Sequence, residues 1–142
     1  GGDEINMIDL NQKLAKGQNF NFGWPISSYG EHYGGPDGRN KHRYKDFPLH
    51  KSHKDFGFVE PLAFFTPAVA ISQIAKLNKN NFIVSNLKAK SIHTFKLDKN
   101  KKIIDIKEIK IGERIRDIVI SEKNIYLYLE DTSSIAIISK VN

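Results

Sequence analysis

The chain has 142 residues, 39% hydrophobic and 27% charged, with a net charge of +6 and no cysteine. This is ordinary globular composition, and no run reaches the roughly 18 apolar residues that a membrane-spanning helix needs. Disulfides and thiol catalysis are excluded, and the scattered lysines, never interleaved densely with aromatics, read as solvated strand faces rather than a nucleic-acid surface.

Taken in chain order, the elements are strands. They are expected at 4–10, 62–66, 68–77, 82–87, 91–97, 103–111, 115–121, 125–129 and 134–141. Each is rich in Ile, Val, Phe or Tyr, and Asn, Lys, Asp, Ser and Gly turns separate them. No segment sustains a 3.6-residue apolar period for three turns, so helices should be few. Residues 17–58 differ: they hold most of the glycines and every histidine except His93. They read as one long excursion, and long ordered loops on a strand scaffold often carry function.

The strongest internal signal is a repeat over 73–140. Residues 82–97 and 125–140 align without a gap, 43 positions apart, each as apolar strand, polar turn, apolar strand. Upstream, residues 73–77 match 116–120 at the same offset. A four-stranded unit recurring at about 40–45 residues is the period of a β-propeller blade. At that period the chain supplies roughly three antiparallel blades or fewer. A duplicated hairpin in a sandwich is the alternative. A blade cannot bury its faces alone, so either further blades or self-association must close the ring. The start at Gly1-Gly2-Asp3-Glu4, with no Met and no basic-then-apolar leader, reads as a fragment or processed product.

Several motifs then fall into an order. They are Gly1-Gly2-Asp3-Glu4-Ile5-Asn6, Asn21-Phe22-Gly23-Trp24-Pro25, Ser28-Tyr29-Gly30 with Tyr33 and Gly35, and Thr66-Pro67-Ala68-Val69-Ala70. Ser85-Asn86-Leu87-Lys88, Gly112-Glu113-Arg114-Ile115-Arg116-Asp117 and Leu129-Glu130-Asp131 follow. The set resembles the quinone-dependent aldose sugar dehydrogenases of the glucose/sorbosone type. The corresponding patterns there are GGDEIN, NYGWP, SYG, TPSIAPSG, GSL, RIRDV and LTD. The resemblance spans nearly the whole chain. It implies an all-β fold: the C-terminal part, about the last three blades, of a six-bladed propeller of four-stranded sheets, occupying 1–142.

The resemblance also implies chemistry. The family places pyrroloquinoline quinone beside Ca²⁺ in the channel. The quinone carries three carboxylates, which call for guanidinium forks. By resemblance Arg114 and Arg116 form the carboxylate clamp; two apart on a strand, they should point to one face. Lys88 falls at a cofactor-facing lysine, and Asp3 at the calcium and quinone site, where hard oxygen ligands are needed. The family's catalytic base, a His that takes the sugar's C1 hydroxyl proton, lies upstream of the first motif, as does an Arg-Asn pair; no histidine here matches it. The chain alone is therefore expected to be inactive. The partner would be an aldose, and the compartment periplasmic or extracellular. Ile71, Gln73 and Ala68 depart from the family pattern, Ala68 by lacking a hydroxyl, and Phe20 and Asn21 look inserted. These departures favour a second reading, a non-catalytic propeller that binds protein or carbohydrate.

Two further readings carry less. His42, His50 and His53 suggest a metal site but lack a fitting carboxylate pattern. The segment Gly1–Ile5 resembles the diguanylate cyclase signature without that family's α/β surroundings. Trp24 and the Phe/Tyr set read mainly as packing, with Trp24 and Tyr29 as the alternative substrate contacts.

Overall fold

The computed structural model describes residues 1–139, in two compact units divided along the chain between Ala68 and Val69. In the first unit β1 (Asp3–Ile5) pairs antiparallel with β2 (Ala63–Phe65), Asp3 opposite Phe65 and Glu4 opposite Phe64. The strand expected at 4–10 shortens to three residues because its partner offers only three. The intervening excursion holds a single helical turn, α1 (Arg43–Asp46), and a 3-10 turn over Lys54–Phe56. A parallel bridge joins Ser27 to His50. The paired glycines of the first motif have a steric reason. A Cβ on Gly2 would lie 2.5 Å from the Gly30 Cα, so two backbones touch where any side chain would separate them.

The second unit is made of strands only, among the described residues. A four-stranded antiparallel sheet runs β3 (Ile71–Lys76), β4 (Asn81–Asn86), β5 (Ser91–Leu97) and β6 (Ile103–Lys110) in chain order. A three-stranded sheet follows with β7 (Ile115–Ile120), β8 (Asn124–Leu129) and β9 (Ser134–Ser139). The expectation of antiparallel, nearly helix-free structure holds. The last strand was expected to reach 141; Lys140 and Val141 lie outside the described residues.

The ladders test the repeat pair by pair. Phe82 faces Phe95 and Ile125 faces Ile138; Ser85 faces Ile92 and Tyr128 faces Ile135. A shift of 43 therefore maps one hairpin onto the other in register. The upstream strand is different. Gln73 faces Ser85 whereas Asp117 faces Tyr128, so β3 maps onto β7 at an offset of 44. The 43-residue match of residues 73–77 to 116–120 is thus out by one. The connection from Lys76 to Phe82 is one residue longer than that from Ile120 to Ile125, which shifts the strand before it. Both first strands carry a bulge, at Ser72 between Ile71 and Gln73, and at Arg116 between Ile115 and Asp117.

The core lies between the two sheets. Ile83 and Ile92 meet Ile115, Ile118, Leu127 and Leu129, with Ala75, Leu77, Ile111 and Ile138 among the half-buried residues around them. Two polar side chains of β3 staple the sheets. The Ser72 hydroxyl donates to the Ile115 carbonyl at 2.6 Å, and the Gln73 amide oxygen accepts from the Ile118 N–H at 2.8 Å. The Ile118 N–H is shared with the Asp117 carboxylate, also at 2.8 Å, so Gln73 adds a bridge between the sheets that the glycine of the family pattern could not supply.

Candidate functional site

In the first unit the residues of interest surround a buried histidine. His53 is fully buried, its Nε2 3.4 Å from Glu4 Oε1 and its Nδ1 4.0 Å from Glu60 Oε2. The Glu60 carboxylate accepts from the backbone N–H groups of His53 and Lys54 at 2.9 and 2.8 Å, and from the Tyr29 hydroxyl at 2.9 Å. The Tyr29 ring stacks on Phe64 at 4.2 Å and on His53 at 5.2 Å. Glu4 and Phe64 face each other across the β1–β2 ladder, so this cluster fixes the strand that carries Asp3. Tyr29 is thereby engaged in packing. Sequence reasoning placed His53 only in a metal reading and gave Glu4 and Glu60 no role. Among the described residues no group of three or more His, Cys, Asp or Glu could hold a metal ion. The signal that could have found the cluster is the pair of glutamates flanking an excursion that is otherwise basic and aromatic.

Trp24 departs from the packing expectation, for its surface is 72% exposed. It lines a pocket of 280 Å³ together with Gly2, Asp3, Glu4, Ser27 and Ser28. It also lines a cavity of 620 Å³ walled by Pro25, Ile26, Phe47, Pro48 and Leu49, with Arg43 and Asp46 at hand. An indole face beside a carboxylate and hydroxyls is suited to a sugar ring, since it offers an apolar platform and hydrogen-bonding groups together.

The second unit carries the basic candidates. Arg114 lies just before β7, and Arg116 is the extra residue of its bulge. Simple alternation therefore does not explain why they meet; the bulge re-aims Arg116. They converge on one carboxylate. Arg114 Nε and one terminal nitrogen lie 3.4 Å from Glu130 Oε1, and an Arg116 terminal nitrogen lies 2.5 Å from Glu130 Oε2. The Glu130 backbone N–H also bonds the Arg114 carbonyl at 2.8 Å. Beside them Lys90 pairs with Asp131 at 2.7 Å. The Lys90 ammonium, reinforced by Arg114, holds the Asp131 carboxyl below its ordinary range. Lys88 is exposed, tied by its backbone N–H to the Val69 carbonyl, and forms no ion pair with the described residues. Asn86 is fully buried and its amide nitrogen donates to His93 Nδ1 at 2.8 Å.

The glucose/sorbosone dehydrogenase family profile matches residues 1–139. The chain belongs to that family. The crystal structure of a glucose dehydrogenase superposes with a TM-score of 0.72 and 21% identity, over all of this chain and 39% of that one. An uncharacterized protein of Synechocystis sp. is 31% identical over 125 residues, 83% of this chain and 26% of the relative. This family member thus spans about a quarter of that curated relative. Its sheets have the propeller-like all-β character of the family. No helix among the described residues is long and apolar enough to cross a membrane.

The pH response of this family member follows from two titratable groups, the buried His93 and the exposed Glu60. Burial holds the His93 imidazole below its ordinary value. Burial pushes the Glu60 carboxyl up, but the Lys54 N–H, the Tyr29 hydroxyl and the His53 N–H outweigh it, so the carboxyl lies below its usual range. Both groups have depressed folded-state values, so each contributes stability above its unfolded value and loses it as pH falls. His93 should act first, below pH 6.5, and Glu60 below 4.5. Hydrogen exchange followed from pH 7 to 3.5 should show Ser91–Leu97 losing protection before residues 53–60. Equal loss in both segments at one pH would contradict this order.

Proposed function

We propose that this chain is the C-terminal part, about three blades, of a six-bladed quinoprotein oxidoreductase that oxidises an aldose at C1. The observation that carries the reading is the convergence of Arg114 and Arg116 on one carboxylate. Two guanidiniums against a single carboxylate leave a net positive charge and unused N–H donors, and a side-chain carboxylate already stands where a ligand's would bind. The residues present therefore fit pyrroloquinoline quinone, which when bound would supply the two-electron acceptor for hydride. Arg114 and Arg116 would hold its carboxylates, with Lys88 as an exposed third cation. In the pocket of the first unit, Trp24 would carry a sugar ring and Asp3 would offer it a hydrogen-bond acceptor. Asp3 would offer one carboxylate oxygen to calcium, and by resemblance the ion's remaining oxygen ligands would come from residues outside this chain.

The proton-abstracting residue belongs, by resemblance, to another part of the protein, so residues 1–142 alone should be inactive. Periplasmic or extracellular residence is proposed on the same ground. A further sheet, or a second copy, would cover the outer face of β7–β9, where Val119, Tyr128, Ile135 and Ile137 are each at least 42% exposed. The second reading, a non-catalytic family member, is favoured by Ala68, which presents no hydroxyl, and by the structural commitment of Gln73.

Quinone titration of the intact protein tests the proposal. Bound quinone should change its absorbance, and an added aldose should then reduce a dye. Arg116→Ala should weaken quinone binding about tenfold or more, the scale of losing one charge-assisted contact. Intact protein that binds no quinone would leave only the non-catalytic reading.

A further inference from the structure

Glu130 itself is the feature that the proposed function does not use. It stands in the Leu129-Glu130-Asp131 segment, at the threonine position of the pattern that this segment resembles. Its carboxylate faces both members of the arginine pair, held by close charge contact rather than by well-aimed hydrogen bonds. The two contacts to Arg114 are 3.4 Å long. Oε2 is shielded from solvent and lies close to Arg116, but no N–H is aimed at it, so it accepts no hydrogen bond. A buried carboxylate oxygen without a donor is a strained partner, attracted by charge and under-bonded by geometry. The flanking groups do not relieve it: Asp131 is taken by Lys90, and Glu113 accepts from the Thr132 hydroxyl at 2.7 Å. Arg114 and Arg116 keep their side chains 37% and 50% exposed, so an incoming anion has access to both.

We propose that Glu130 is a displaceable carboxylate that occupies the Arg114–Arg116 pair, setting how tightly the pair holds an anionic ligand and selecting for ligands with enough carboxylates to compete. It lowers the charge offered by the pair and takes up guanidinium donors that a ligand must win back. A monocarboxylate meets a site already filled, whereas a polycarboxylate can engage the free edges of both guanidiniums and push the weakly bonded side chain aside. The inference rests on the reading of the arginine pair as a carboxylate site.

The test uses the intact protein and two probes, pyrroloquinoline quinone and acetate, with affinity read from quinone absorbance and from acetate competition. Glu130→Gln keeps the size and the backbone bond to Arg114 while removing the charge. It should tighten quinone binding about five- to tenfold, the worth of one or two partly exposed ion pairs. It should also let acetate compete at concentrations that leave the unaltered protein unaffected. Glu130→Asp keeps the charge and withdraws it by one methylene, and should tighten binding by no more than about twofold. Unchanged or weaker quinone binding in Glu130→Gln would overturn the proposal, because Glu130 would then be ordering the arginines rather than competing for their ligand. If Arg116→Ala binds quinone as the unaltered protein does, the arginine reading falls and this inference falls with it. Loss in Arg116→Ala without gain in Glu130→Gln overturns this inference alone.

Discussion

Gly23→Ala should be among the most damaging single substitutions in the first unit, costing about 2–5 kcal/mol as the sum of overpacking and a left-handed backbone. Gly23 has a φ of +91°, where an L side chain is strained. Its added Cβ would lie 2.7 Å from His53 Cδ2 and 3.0 Å from the Ser27 Cβ. Neither neighbour has room to yield. Ser27 is held by its hydroxyl bond to the Ser52 carbonyl at 3.1 Å, and His53 is enclosed by Glu4, Glu60 and Tyr29. The displacement should pass through His53 to Glu4 and loosen β1. Hydrogen exchange on the intact protein should show lost protection at Asp3–Ile5 and Ala63–Phe65, with β4 and β5 unchanged. Native protection across β1 and β2 in the variant would show that the cluster is not rigid.

Leu127→Ala should cost a similar amount, about 2–5 kcal/mol, by a different route. Leu127 is fully buried at the centre of β8 and packs with Ile83, Ile92, Ile115, Ile118 and Leu129. Its removal leaves a cavity that two hydrogen-bonded sheets cannot collapse to fill. The stapling bonds from Ser72 and Gln73 hold the sheets apart at fixed spacing, so relaxation is small and the cost should lie toward the upper part of the range. Urea unfolding followed by circular dichroism should show an earlier midpoint. Leu127→Ile, which conserves volume, should lose less than about 1.5 kcal/mol. A Leu127→Ala midpoint equal to that of the unaltered protein would mean that the two sheets do not share one core.

Much of the second unit could be read from its residues. The hairpins at 82–97 and 125–139 announced themselves because apolar strands joined by equal polar turns leave a period that needs no tertiary information. The two bulges did not. Inserting Ser72 or Arg116 changes no local propensity, since a bulge exists only relative to the partner strand; the match of β3 to β7 was out by one because the connection before β4 is one residue longer than that before β8. The arginine pair was found through motif resemblance, and its partner was missed, because Glu130 sits in a turn-like acidic pair that sequence alone reads as solvated. The first unit was opaque for a related reason. Its excursion is held by contacts between residues dozens of positions apart, such as Glu4 with His53 and Gly2 with Gly30, and no short-range pattern encodes them.

The amino-acid sequence by itself determined the strand class, the repeat and the family, since these rest on side-chain alternation and ordered motifs carried within single segments. Only the tertiary structure decided that Trp24 stands in solvent, that Tyr29 is locked against Glu60, and that Glu130 occupies the arginine pair. Those facts depend on which distant groups meet and at what distance. Electrostatic and hydrogen-bond energies are set by that geometry, and it does not exist until the chain has folded.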